Sequence, residues 1–98
     1  MNMQQMIIQA QKMQREMQKK QKELEEKEFT ISKGGAVTVV VKGDKSIKSI
    51  DIDKDALDPE NKEMVEELIA LAINEAIEQI RKAEAAISES VTGNGPLF

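Results

Sequence analysis

Four basic side chains recur at helical spacing near the start of the chain and could bind phosphate groups. Successive members are three, four and three residues apart, which places them on one face of an α-helix. Between Gln4 and Lys22 the sequence contains five basic residues and only one acidic residue. Several cations on one face can displace the counterions that surround a polyanion such as duplex DNA. This basic stripe consists of Lys12, Arg15, Lys19 and Lys22.

A solvated helix surface is the alternative interpretation of the basic stripe, because lysine-rich faces are common on exposed helices. Two features favour binding instead. Glu16 is the only acid among these bases, so the stripe is not interleaved with opposite charge. The acids that follow cluster nearer the middle of the chain, which leaves the positive charge at one end of the helix. These acids are Glu23, Glu25, Glu26 and Glu28.

Catalytic and cofactor sites are not indicated by the remaining chemistry. The sequence has no Cys and no His, which excludes thiolate ligands and a histidine general base. Carboxylates are numerous, but they fall on the polar faces of a predicted helix and have no nucleophile beside them. We therefore predict a protein that is not an enzyme and that has no metal, cofactor or small-molecule substrate.

Two short segments imitate binding loops. The run from Asp51 to Asp55 resembles the start of a calcium loop, but Ala56 replaces the turn glycine and Lys62 replaces the closing glutamate. The run Gly43-Asp44-Lys45-Ser46 resembles a phosphate loop but lacks the upstream glycine. The first segment is predicted to lead out of a strand, and the second to form a hairpin turn.

The basic stripe lies in a segment that is predicted to form one long helix, over residues 2 to about 27. Its residues are mostly good helix formers, and Gly and Pro are absent. The apolar residues follow a heptad pattern in which Lys20 fills one position, so the stripe faces away from an apolar seam. The seam consists of Met3, Met6, Ala10, Met13, Met17 and Leu24.

Residues 28–53 change to the two-residue period of β-strands. Two glycine-containing turns, at residues 33–35 and 43–45, divide this region into three short segments. The pattern predicts a three-stranded antiparallel meander. Its alternating apolar positions are Phe29, Ile31, Val37, Val39 and Val41, followed by Ile47, Ile50 and Ile52 in the third segment.

A second long helix is predicted to begin at Asp58-Pro59-Glu60 and to end near Ser90. Asp is a favourable N-cap, and Pro is tolerated in the first helical turn. The helix has an apolar stripe for packing on the sheet, while residues 92–98 are expected to form a mobile tail. The stripe consists of Val65, Ile69, Ala72, Ala76, Ile80, Ala83 and Ile87.

The lengths of these elements predict an arm. Both helices exceed strands of about 20 Å, so each is expected to extend beyond the sheet by roughly 15–20 Å. Packed antiparallel, they would bury their narrow seams against each other. Val40 and Ala36 alternate with Val39, so apolar side chains are expected on both sheet faces. We predict one α+β domain, residues 1–98, of order α-β-β-β-α, which forms a homodimer joined near the sheets with two projecting arms.

The chain resembles the YbaB/EbfC family of bacterial nucleoid-associated proteins over nearly its whole length. Three segments in this order carry the resemblance: QAQKMQREMQ in the first helix, GGAVTVVVKG and SIKSIDID in the sheet, and EMVEELIALAINEAIEQI in the second helix. Asn74 and Ala76 fall where the family has an Asn-x-Ala element.

This resemblance implies a homodimer shaped like tweezers that binds double-stranded DNA with little sequence preference. It also implies a location in the cytoplasm and nucleoid, and a role in nucleoid organisation or gene regulation without catalysis. In the family the proposed DNA contacts lie on the protruding helical arms. For this sequence that implies the basic stripe of Lys12, Arg15, Lys19 and Lys22, with Arg81 and Lys82 as secondary candidates.

The sequence leaves two alternatives to DNA as the partner, another protein and a membrane surface. An exposed methionine edge at Met3 and Met6 could hold a partner helix, since methionine adapts to varied surfaces. Binding to a membrane surface is disfavoured because the basic helix lacks Trp and Phe on its apolar side. A membrane span is not expected either, because the longest apolar run covers only Leu68 to Ile73, and no secretory signal is recognised.

The overall charge of −4 does not favour DNA, so the prediction of DNA binding depends on the uneven distribution of charge.

Overall fold

The computed structural model describes residues 2–91 of the 98-residue chain. The order of elements is α-β-β-β-α, so the predicted α+β fold is confirmed. The tail predicted at residues 92–98 lies outside the described residues. The elements are α1 (Met3–Glu26), β1 (Glu28–Lys33), β2 (Val37–Lys42), β3 (Ile47–Ile52) and α2 (Lys62–Val91), with two 3-10 turns before α2 at Lys54–Ala56 and Pro59–Asn61.

Helix α1 begins at a side-chain cap. The side chain of Asn2 accepts a hydrogen bond from the amide of Gln5 at 2.8 Å, which satisfies one of the free donors at the helix start. The helix ends where Lys27 adopts an extended backbone and its amide donates to the carbonyl of Leu24. Its 24 residues make a rod about 36 Å long.

The three strands form an antiparallel sheet in the order β1-β2-β3, as predicted. Val39 lies opposite Ile31 on one side and Ile50 on the other, so these three side chains share a face. A bulge in β3 shifts the register between Val40 and Val41 and brings Ile47 opposite Val41. The bulge explains how two isoleucines three residues apart can lie on the same face of a strand.

The opposite face of the sheet is mainly polar, which corrects the expectation of apolar side chains on both faces. Ser32 and Thr38 hydrogen-bond across it at 3.0 Å, and Glu28 pairs with Lys48. Val40 is only half-buried there. Ala36 lies in the turn before β2 and belongs to the buried core, because the alternation of the strand does not extend into the turn.

The turn between β2 and β3 confirms the hairpin predicted at residues 43–46. The carboxylate of Asp44 accepts hydrogen bonds from the backbone amide and hydroxyl of Ser46. These bonds stabilise the ionised form and lower the pKa of Asp44 from its ordinary value. The Gly43 amide donates to the carbonyl of Lys27 at 2.9 Å, which ties the turn to the end of α1.

Aspartates of the calcium-like run and its neighbour act as caps. Asp53 accepts a hydrogen bond from the amide of Asp55, and Asp58 accepts one from the amide of Glu60 at 2.9 Å. Asp58 therefore caps the segment as predicted, but the first turn after it is a 3-10 turn. The α-helix proper begins three residues later than Pro59, at Lys62.

Helix α2 lies over β1 and β2 and leaves β3 uncovered. Ala72, Ala76 and Ile80 are fully buried against the valines of β2. The side of α2 that carries Glu75 faces β1, because Glu75 pairs with Lys33 at 2.8 Å. The side that carries Glu84 faces β3, because Glu84 lies 3.5 Å from Lys45 in the β2–β3 turn.

The predicted arm is present, but the two helices contribute to it differently. Of the two helices that the structure describes, only α2 lies over the sheet, whereas α1 packs on the outer part of α2. Leu24 is buried beside Ala83 and Ile87, and further out the ammonium of Lys20 donates to the Ser90 hydroxyl at 2.9 Å. The molecule is 69 Å long and 23 Å wide, so α1 projects well beyond the sheet.

Candidate nucleic-acid interface

All four residues of the basic stripe are exposed and lie on one face of α1. Within residues 2–91 none of them takes part in an ion pair. The stripe covers eleven residues, from Lys12 to Lys22, and is about 15 Å long. Cations that are exposed and unpaired are available to phosphate groups without first breaking an internal ion pair.

The stripe faces away from α2 because the seam of α1 faces towards it. Leu24 is buried and Met13 and Met17 are half-buried, which fixes the rotation of the helix about its axis. Lys20 occupies a seam position, and this explains why its ammonium meets Ser90 of α2 instead of joining the stripe. The heptad pattern of α1 therefore predicts that Lys20 contacts α2 and that the four residues of the stripe do not.

Arg81 and Lys82 are also exposed, but they lie apart from the stripe. They follow Ile80, which is fully buried in the core, so they are level with the sheet. Ser90, which is level with Lys20, lies nine residues further along α2, a distance of about 14 Å. Arg81 also approaches Glu78 on its own helix at 3.9 Å. The structure does not bring these two residues together with the four on α1.

Near the start of α1 the structure exposes two apolar residues that the sequence patterns did not indicate, Ile7 and Ile8. Ile7 is 51% exposed and Ile8 is 56% exposed. Every residue from Asn2 to Lys12 is exposed, and this segment is called the tip below. A pair of β-branched residues in a helix otherwise rich in Gln, Lys and Met is the signal that could have revealed them.

Residues 2–91 contain no cluster of three or more acidic side chains arranged to hold a metal ion. Over the same residues, neither helix combines the length and the apolar character that a membrane span requires.

Comparison with known protein families matches residues 1–95 to the YbaB/EbfC DNA-binding family. The chain belongs to the YbaB/EbfC DNA-binding family. This confirms the resemblance that the three sequence segments indicated. The match includes α1 with its basic stripe, the sheet and α2, so no element of the described fold falls outside the family.

Bacterial relatives support the same assignment. A nucleoid-associated protein of Mycoplasmopsis pulmonis is 45% identical over 91 residues, which cover 93% of this chain and 90% of the relative. One from Clostridium novyi is 48% identical over 94 residues, which cover 95% of this chain and 82% of the relative. A third, from Malacoplasma penetrans, is 44% identical, with coverage of 91% and 95% respectively.

Proposed function

We propose that the chain acts as a single domain that binds double-stranded DNA as a homodimer, without catalysis and with little sequence preference. The contacts are made mainly by the basic stripe of α1 to phosphate groups, and the process served is nucleoid organisation or gene regulation. One observation carries this proposal: the four cations are exposed together and unpaired within residues 2–91, in a chain that belongs to a DNA-binding family.

Phosphate contacts explain binding without strong sequence preference. Phosphate groups repeat along every duplex and carry no direct sequence information. Four cations on a straight helix can each meet a phosphate or displace a counterion. The rest of the molecule is acidic, with a net charge of −4 for the whole chain, so the arm is the part that a polyanion approaches most favourably.

An uncovered apolar surface beside α2 supports the homodimer. Ile47 and Ile50 lie on the sheet face that α2 covers elsewhere, yet both remain exposed. Ile73 and Ile77 stand on the side of α2 that faces β3, in line with Glu84, and are half-buried. A second copy that covers this surface would remove it from water and leave both tips free. A chain of 98 residues gains much from such burial, because its own core is small.

A matched pair of charge variants tests DNA binding. Lys12→Glu with Lys19→Glu changes two residues of the stripe, and Lys54→Glu with Lys62→Glu changes the net charge equally on the body. We expect the stripe variant to lose at least about tenfold in affinity for duplex DNA at low salt, because repulsion replaces two contacts on each arm. The body variant should bind nearly as the parent does. Equal losses in both variants, measured by fluorescence anisotropy, would show that the stripe is not the contact.

The homodimer has its own test. Ile50→Lys places a charge on the uncovered surface, while Leu71→Lys changes another exposed apolar residue, 49% exposed against 43% for Ile50. Burial of an isoleucine contributes about 2 kcal/mol, and a symmetric dimer loses it twice, so Ile50→Lys should yield monomers at micromolar concentration. Sedimentation analysis measures the mass. A dimer that persists in Ile50→Lys but not in Leu71→Lys would place the interface on the side of α2 that carries Leu71, and not on the side that faces β3.

A second candidate function is docking of a partner helix on the tip. Met3 is 76% exposed and Met6 also lies open to solvent, which favours this alternative. It predicts that a bound protein survives high salt and nuclease treatment, and that Met3→Gln with Met6→Gln releases it. Release by the stripe variant instead would assign the contact to charge.

A further inference from the structure

Ile8 lies on the same face of α1 as the basic stripe, one position nearer the start of the helix. The positions Ile8, Lys12, Arg15, Lys19 and Lys22 follow one another at steps of four, three, four and three residues. Ile8 therefore lies on the outward face, opposite the seam that faces α2. An exposed β-branched residue in a helix contributes little to helix stability, and no buried contact accounts for this one.

We propose that Ile8 packs on the C5-methyl group of thymine in the major groove, which gives the protein a small preference for thymine at one position. This inference rests on the proposed function, since it requires that the basic stripe faces the duplex. A ligand bound along the stripe meets Ile8 next, because the residue lies in line with the cations. The thymine methyl is the one apolar group that base edges present in the major groove.

The dimensions of the tip fit this groove. An α-helix with its side chains is about 10–12 Å across, and the major groove of B-form DNA is about 12 Å wide. All residues from Asn2 to Lys12 are exposed, so α1 presents its surface there on every side. The minor groove, about 6 Å wide, does not admit a helix.

Neighbouring side chains of the tip suit the same environment. Gln4 lies four residues before Ile8 and Gln11 three residues after it, so both share the outward face and both are exposed. Glutamine amides hydrogen-bond to base edges, adenine in particular. The phosphate contacts of the stripe would set the position of the helix, and Ile8 would then meet the bases with a polar amide on either side.

Charge favours DNA over a second protein as the occupant of this face. Any ligand that covers Ile8 from the outside also faces Lys12 and Arg15, which are unpaired within residues 2–91. A polyanion satisfies both the cations and, through its thymine methyl groups, the apolar side chain. Ile7 is turned about 100° around the helix from Ile8 and does not share this face.

Deoxyuridine substitution tests the proposal directly. Uracil lacks only the C5-methyl group, so a duplex with every thymine replaced keeps its base pairs and phosphates. At the same salt concentration, the parent protein should bind the thymine duplex about fourfold more tightly for each arm that contacts it, the factor that corresponds to burial of one methyl group, and about sixteenfold more tightly when both arms of the homodimer do. Ile8→Gln should bind both duplexes equally, at the affinity of the parent for the uracil duplex. Ile7→Gln, the matched control at 51% exposure, should keep the same difference between the two duplexes as the parent.

Three other results would overturn the thymine contact, and a fourth would refute the proposed function. Equal binding of both duplexes by the parent protein overturns the thymine contact but leaves phosphate binding intact. A loss of the difference in Ile7→Gln as well as in Ile8→Gln overturns it too, since the effect would then belong to the whole tip. A change of oligomeric state in Ile8→Gln without DNA would assign the residue to a protein contact and overturn the proposal. No binding of any duplex at low salt would refute the proposed function itself.

Discussion

Gly43 lies where the β2–β3 turn meets the end of α1. Its amide donates to the carbonyl of Lys27, and a Cβ atom at this position would lie 1.7 Å from the carbonyl oxygen of Leu24. The obstacle is backbone, which cannot rotate away as a side chain can. Glycine is therefore required here by space, and the direction in which α1 leaves the sheet depends on it.

Gly43→Ala should destabilise the fold by about 3 kcal/mol or more, because the end of α1 must move away from the turn. Gly35→Ala is the matched control. Gly35 has a φ angle of +64°, but a Cβ atom there meets nothing within 4 Å, so only the left-handed backbone opposes alanine, at about 1–2 kcal/mol. Urea denaturation measures both free energies of unfolding. A smaller loss for Gly43→Ala than for Gly35→Ala would contradict the close approach.

Helix α1 is one element with two environments. Near its end Leu24 is buried against α2, and Met13 and Met17 are half-buried further out. From Asn2 to Lys12 every side chain is exposed. The outer half is therefore held mainly by its own backbone hydrogen bonds, its good helix formers and the Asn2 cap, since apolar packing contributes little there.

Amide hydrogen exchange should reveal this division within α1. We expect amides from Met6 to Lys12 to exchange at least about tenfold faster than those around Leu24, because opening the tip exposes no buried surface. Mass spectrometry of overlapping peptides, after exchange of the protein without DNA, resolves the two halves of α1. Uniform protection along α1 would contradict the division. Addition of duplex DNA should slow exchange at the tip while leaving the amides of α2 over the sheet unchanged.

The outer part of α1 carries a net positive charge, because residues 2–22 contain five basic residues and one acid. The basic stripe occupies the projecting part of α1, while the acids Glu23, Glu25 and Glu26 lie at the end of α1 next to the sheet. Ion pairs such as Lys33 with Glu75 and Lys45 with Glu84 use basic residues of the body. Other basic residues of the body, such as Lys54 and Lys62, form no ion pair in the described residues either, so what distinguishes the stripe is that its four cations lie together on one face with a single acid among them.

The salt dependence of DNA binding should count the contacts of both arms. A dimer with four cations on each arm releases up to eight counterions, so log K should fall with log salt at a slope of about −7. Lys12→Gln with Lys19→Gln removes four contacts per dimer and should halve the slope. Lys54→Gln with Lys62→Gln, on the body, should leave it unchanged. A slope that stays constant in the first variant would exclude the stripe as the source of the released ions.

Local patterns were sufficient to predict the elements and the stripe. The two-residue period of the valines and the heptad spacing of the methionines depend on neighbours along the chain. The structure reproduces the first in β2, and it buries the heptad seam, wholly or in part, only from Met13 to Leu24. The rotation of α1 followed from the same spacing, which placed Lys20 towards α2 and the four other cations outward. The motif segments indicated the family, and the family match over residues 1–95 confirms it.

Contacts between distant segments decided the rest. Only the folded structure shows that α2 covers β1 and β2 but not β3, that a bulge brings Ile47 and Ile50 to one face, and that Ala36 is buried. It also separates Arg81 and Lys82 from the stripe, and leaves Ile8 exposed in line with it. These features depend on how far one element extends past another. Residue spacing fixes the face of an element on which a side chain lies, and packing alone fixes what lies opposite that face.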